Sequence, residues 1–337
     1  MCQKKRSFCR IRFRGLAALA AALFLLPGGY AARAEENLPT PIPENIRTAD
    51  EIEIDDRYEE LSSYSITFRN MQAYTPEYFN YAKVTATEEL PAANGGEMNR
   101  YRFADEAVLT IPGNTELEYG NKDYERYRQL LNYMENTGKA PAKQAPVPYP
   151  LENAVARCEK LFKNLHIDNL VLDQAVAIPS GFICDMTDEM KKFYNETEPM
   201  CFDAFPEEIG VWYLAFRQEL NGIKSLGTPQ VRIALTETET ALLELDKVID
   251  HINDDYELPE GVCWTDAIRV FSASHCGKTS GSYEISKINI AYDYDLTDAG
   301  ALDAKAFPCW QIEGQGTGEG KFSEIYSIPE GRKVKNF

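Results

Sequence analysis

Alternation of apolar and polar residues constrains the fold of this chain more than any other feature. Ile288, Ile290, Tyr292, Tyr294 and Leu296 occupy every second position, as do Val231, Ile233 and Leu235, and Tyr64, Ile66 and Phe68. A period of two places such side chains on one face of a pleated strand, so each run requires a sheet with something apolar to cover it. Asn221-Gly222, between Val211–Leu220 and Ile223–Leu226, adds a hairpin, because Asn-Gly suits the positive φ angles of a type I′ turn. Further strand character lies at Val84, Val108–Ile111, Ala241–Leu245 and Phe307–Ile312.

Helical spacing is sparser. Tyr124, Tyr127, Leu131 and Met134 recur at helical intervals after Asp123, which can cap a helix that Gly138 is placed to end. Val155, Cys158, Phe162 and Leu165 form a stripe over Leu151–Leu165. Thr265 can cap a third helix, carrying Ala267, Ile268 and Phe271. The order of helix then strands occurs over 151–255 and again over 256–313, which reads as a weak internal duplication. The fold expected is α+β, with antiparallel sheets each packed by a helix and a smaller β-rich region at 61–138 before them. Pro141, Pro146, Pro148 and Pro150 mark a boundary at 139–150, since neither a helix nor a central strand accepts that density. Residues 35–60 read as an acidic, proline-rich arm, and 314–337 as a loop rich in glycine followed by a terminal segment.

The first 34 residues have the grammar of an export signal. Lys4, Lys5, Arg6, Arg10, Arg12 and Arg14 precede an unbroken apolar run, Leu16–Leu26, and Ala32-Arg33-Ala34 closes it. The run falls short of the roughly 20 residues a membrane-spanning helix needs, so cleavage between Ala34 and Glu35 is expected, releasing a secreted or envelope-associated protein without stable membrane insertion. The whole chain carries a formal charge of −18, and loss of the leader removes seven basic residues and no acidic one, giving −25 on 303 residues. Such charge disfavours nucleic acid and anionic lipid and favours a basic partner. With hydrophobic residues at 44%, wholesale disorder, a collagen, a coiled coil and a multispanning membrane protein are excluded.

Cys158, Cys184, Cys201, Cys263, Cys276 and Cys309 survive cleavage. In an exported chain an even number permits disulfides, and Cys184 with Cys201 and Cys263 with Cys276 each bracket a short helical segment. Burial as small hydrophobes is the alternative, and Cys158 on its helical stripe fits it. No C-x-x-C occurs and His166, His251 and His275 are scattered, so no metal or other cofactor is expected. Gly277-Lys278-Thr279 lacks the earlier glycine of a phosphate loop, having Ser272 in its place. Asp293, Asp295 and Asp298 resemble a calcium loop, but Asp298 stands where glycine is wanted and Ala304 where glutamate is. No Gly-x-Ser-x-Gly occurs.

Phe216-Arg217-Gln218-Glu219-Leu220-Asn221-Gly222-Ile223, the strands after it, and Ala291-Tyr292 leading to Phe307-Pro308-Cys309-Trp310-Gln311-Ile312 resemble the tandem YycI-type or PepSY-like modules of Gram-positive extracytoplasmic regulators. Phe103–Pro112 is similar to a segment that precedes such modules in clostridial envelope proteins, many of them lipoproteins. The resemblance implies a protein that binds a polypeptide partner and assigns no catalytic residue. It departs from the group in lacking a lipid-attachment cysteine after the apolar run and in having six mature cysteines. The function expected is therefore non-enzymatic binding or regulation. The alternatives are a glycan-directed hydrolase using two carboxylates hidden among 53 acids, and a structural envelope domain with no dedicated ligand.

Overall fold

The computed structural model describes residues 44–336, apart from 56, 59–60, 92–96, 142–148, 181, 183–188, 191, 195–209, 228, 259–261, 276–280, 297–300 and 318–319. Two large sheets divide the chain in an interrupted order. β1 (Ile46–Ile54) and β2 (Ser62–Phe68) belong to a seven-stranded sheet. The chain then leaves to build a nine-stranded sheet from β3 (Val84–Pro91), β4 (Glu97–Phe103), β5 (Val108–Ile111), β6 (Glu116–Gly120), β7 (Leu170–Ile178), β8 (Val211–Leu220), β9 (Ile223–Lys224), β10 (Val231–Leu235) and β11 (Thr240–Asp246). It returns to the first sheet with β12 (Ile249–Glu257), β13 (Tyr283–Leu296), β14 (Asp303–Gly316), β15 (Gly320–Ser327) and β16 (Lys333–Asn336).

The larger sheet runs β3-β4-β5-β6-β11-β10-β8-β7, with β9 folded back on β8. Strands from both sides of the proline-rich stretch 139–150 thus share one sheet, through the β6–β11 pair. Helices pack on both of its faces. Helix α1 (Tyr124–Thr137) packs Tyr127, Leu130 and Leu131 with Val211, Tyr213 and Ala215 of β8. Helix α2 (Leu151–Asn164) sets Cys158 and Phe162 among Trp212, Leu214 and Phe216, the alternate residues of the same strand. β8 is therefore buried on both faces, which explains why its apolar run is continuous instead of alternating. The Phe162 and Phe216 rings meet edge to face at 4.9 Å.

In the smaller sheet β13 and β14 pair along almost their whole length, and helix α3 (Trp264–His275) buries Ala267, Ile268 and Phe271 against them. Ile268 and Phe271 each contribute about 1.5–3 kcal/mol. The sheets meet at the β8–β9 hairpin. Asn221 and Gly222 take φ values of 52° and 74°, as a two-residue turn of this type requires. The flanking Leu220 and Ile223 insert into the core of the smaller sheet, and Leu226 N–H donates to the Tyr292 carbonyl at 2.6 Å.

The expectation of a balanced α+β fold is corrected. The molecule is β-rich, its bulk lying in two large sheets. The difference comes from segments with no clean alternation that become strands by pairing at sheet margins. Ile46, Ile52 and Ile54, within the stretch read as an arm, are buried because β1 pairs in parallel with β13. The glycines read as a loop extend β14 and begin β15. Gly314 sits in mid-strand because a Cβ there would lie 2.1 Å from the Glu284 carbonyl oxygen. Gly138 ends α1 with φ of 66°, as expected, but Asp123 makes no side-chain cap and pairs instead with Arg126 at 3.4 Å. Thr265 lies inside α3, whose first turn is closed by the Asp266 carboxylate accepting from Cys263 N–H at 3.1 Å.

Candidate functional site

Three places concentrate exposed or charged groups. The first is β12. It pairs only with β2, so its other side is an edge of the smaller sheet. Ile249 is secured at the start of this strand: its N–H donates to Gln218 Oε1 at 2.6 Å and its carbonyl accepts from Gln218 Nε2 at 3.0 Å. From His251 to Tyr256 every residue is exposed, so neither face of this stretch is covered among the described residues. Ile252 and Tyr256 are each 53% exposed, a cost for large apolar side chains in a strand. The segment carries Asp250, Asp254 and Asp255 and no lysine or arginine. Asp250 is engaged by Arg69 and by His251 Nε2 at 3.1 Å. Arg69 also reaches the Tyr74 hydroxyl at 3.3 Å, and the Tyr74 ring meets half-exposed Tyr78 edge on at 5.4 Å. The edge is thus linked, through buried Tyr74, to the exposed Tyr78 ring.

The second place is a cleft of about 650 Å³ at the seam between the sheets, lined among others by Asp55, Arg57, Asp173, Arg217, Lys224 and Lys287. Most of its charges are paired within it. Arg57 grips Asp55 at 2.6 and 2.8 Å and reaches the Gly222 carbonyl at 2.7 Å. Asp173 takes Arg217 and Lys224, each at 2.7 Å. Burial opposes ionisation of both carboxyls, but these cations outweigh it and hold each below the ordinary aspartate value. The cleft fastens the hairpin between the sheets.

The third is a transverse row on the larger sheet. Cross-strand pairing sets Arg100 beside Thr110, Thr110 beside Glu118, Glu118 beside Glu244, and Glu244 beside Arg232. Helix α1 brings Glu125, Arg128 and Glu135 to the same row, with Arg128 4.0 Å from Glu118 and Arg232 3.2 Å from Glu135. Burial pushes Glu118 up to about 7, the neighbouring Glu244 and Glu125 adding to the effect and Arg128 offsetting part of it. Glu244 is also raised by burial, although Arg232 contacts it at 2.8 Å. Sequence reading missed this pair, because it depends on which strands become neighbours.

Of the residues singled out from sequence, Ala34, Glu35, Cys184, Cys201, Cys276, Asp298 and 277–279 lie outside the described residues. Cys263 precedes α3 as a free thiol, 2.9 Å from Thr265 Oγ1. Cys158 is a buried free thiol, and Cys309 is buried as well. Asp293 is buried and accepts from Tyr294 N–H at 2.9 Å, while Asp295 lies in a separate surface pocket with it. No group of three or more His, Cys, Asp or Glu able to hold a metal occurs among the described residues. His275 stacks on Phe271 at 4.2 Å, its Nδ1 within 3.0 Å of the Phe271 carbonyl and its Nε2 3.4 Å from Glu324. It ties the end of α3 to β15. No described helix is long and apolar enough to cross a membrane.

No family model matches the chain, and no curated protein matches it. Among solved structures, the crystal structure of an uncharacterized protein from Eubacterium rectale ATCC 33656 is similar, with a TM-score of 0.51 over 87% of this chain and 92% of that one. At 12% identity the likeness is one of fold alone.

Proposed function

We propose that this chain is an exported, non-enzymatic binding protein of a Gram-positive cell envelope that holds a polypeptide partner along the free edge of its smaller sheet. The observation that carries the reading is β12, an edge strand exposed on both faces with Ile252 and Tyr256 open to solvent. Backbone groups on such an edge accept an added strand, and exposed apolar side chains beside it gain by being covered. The export grammar of residues 1–34 and the resemblance to extracytoplasmic binding modules support the location. The test is hydrogen exchange on residues 35–337 with a partner captured from envelope extract. New protection across 250–257 upholds the reading; a complex that leaves those amides unchanged overturns it.

A second reading, carboxylate-based hydrolysis of a glycan, is favoured by the Glu118–Glu244 pair. Neighbouring carboxyls whose proton affinity burial raises are the kind of pair that supplies an acid and a base. A screen for glycan, ester and peptide hydrolysis decides it, with turnover that disappears in both Glu118→Gln and Glu244→Gln as the positive result.

A further inference from the structure

We infer that the segment docking on β12 is an extended strand bearing lysine or arginine at alternate positions, an inference that rests on the binding reading above. The edge is acidic: Asp254 and Asp255 make no ion pair among the described residues, and the strand carries no lysine or arginine, its one histidine, His251, lying against Asp250. Asp250 shows how a cation is received here, since Arg69 approaches it from the neighbouring loop and touches the Tyr74 hydroxyl as well. Carboxylate beside an aromatic ring is the surroundings a guanidinium or ammonium group prefers, through charge on one side and the ring face on the other. Tyr256 offers such a ring two residues from Asp254 and next to Asp255. Successive residues of an added strand point to opposite faces, so basic side chains at every second position share one face and meet the carboxylate presented there.

Register narrows the docking length. Against β2, the strand has an extra residue at Asp250 and another at Asn253, and each bulge bends the edge. Asp254–Glu257 pairs with Ser62–Ser65 without interruption. The added strand is therefore short, centred on Asp254–Glu257, with its other contacts made through side chains toward Ile252.

The experiment uses residues 35–337 and three fluorescent eight-residue probes of alternating Val-Lys, Val-Thr and Val-Glu, followed by anisotropy at low and high salt. The Val-Lys probe is expected to bind most tightly, to weaken with salt, and to lose about fivefold with only one of Asp254→Asn and Asp255→Asn, the one whose carboxylate shares the face of the lysines, the scale of one exposed ion pair. Two further Val-Lys probes, N-methylated on one or the other set of alternate amides, report backbone pairing. Loss with only one set is expected, because an added strand uses one of its two edges. Equal binding of Val-Thr and Val-Lys would overturn the basic class while leaving strand addition standing. Equal binding of both methylated probes would overturn strand addition itself, since charge alone would then be holding the peptide.

Discussion

Among the described carboxyls Glu118 is raised furthest, and with Glu244, raised in the same direction, it makes folding stability depend on pH above about 4.5. Its side chain is 23% exposed, it stands directly across from Glu244, and its proton affinity rises from 4.5 to about 7. Between those values the folded chain binds a proton that the unfolded chain has released, so the folded state loses ground as pH rises from about 4.5 to 7 and changes little above that. At 1.36 kcal/mol per pH unit the span corresponds to about 3 kcal/mol, and water at the exposed part of the side chain reduces it to about 1–3 kcal/mol. Asp55, Asp173 and Glu324 shift the opposite way, each held below its ordinary value despite burial by its cationic partners. Their contribution is present above their unfolded values and is lost as pH falls through the lowered folded ones, on the acid side of the Glu118 window. Urea unfolding of residues 35–337 at pH 5 and pH 8 should show the protein less stable at pH 8 by about 1–3 kcal/mol. Glu118→Gln, which imitates the protonated form and relieves Glu244 of its neighbour, should remove most of that difference. A wild-type curve that is flat or rising between these pH values, or a Glu118→Gln slope equal to wild type, would refute the reasoning.

Other substitutions separate steric from conformational effects. Gly314→Ala would place a Cβ 2.1 Å from the Glu284 carbonyl oxygen and 2.8 Å from the Phe322 ring, and should lower stability by 2 kcal/mol or more, roughly, read as a fall in melting temperature. Gly222→Ala meets nothing within 4 Å but must hold φ of 74°, so its cost should be about 1 kcal/mol, and a loss as large as that of Gly314→Ala would contradict the structure. Phe271→Ala empties the centre of the smaller sheet's core, where the ring contacts Phe322, Tyr283 and His275, and should cost about 3–5 kcal/mol in urea. Asp173→Asn removes the shared partner of Arg217 and Lys224; it should flatten the acid limb of the pH–stability curve while leaving the pH 5–8 difference in place.

What was legible in the sequence is what is decided locally. Asn221-Gly222 declares its turn because only two dihedrals are at stake, and Val231, Ile233 and Leu235 alternate because β10 has distinct faces. The β-rich balance was hidden because β1 is a strand only by virtue of β13, which follows much later in the chain, and its acidic residues look like those of an extended arm. β2 lies between β12 and β14, so the smaller sheet is closed by pairing the two ends of the described chain. Periodicity carries no trace of such a neighbour. The Glu118–Glu244 pair was invisible for the same reason: each glutamate alone reads as the wet face of a strand, and only the β6–β11 register makes them a site.

β12 raises the question of whether an edge this exposed pairs with a second copy of itself. Two features oppose it. The extra residues at Asp250 and Asn253 break the regular ladder that a long homotypic pairing needs, so two copies could match only over short stretches. Antiparallel pairing over Asp254–Glu257 would also bring Asp254 and Asp255 of both copies together, with no lysine or arginine on either strand to neutralise them. Many edges are protected by inward-pointing lysines; here carboxylates serve, and their sign matters. Repulsion between like charges opposes pairing with the protein's own strand and, on the docking proposed above, favours a basic one, so the same residues would both guard the edge and select what occupies it. Replacing both with lysine should then reverse the preference, turning the Val-Glu probe into the tighter ligand. If the doubly substituted protein still took up Val-Lys more tightly, the carboxylates would have no part in selection.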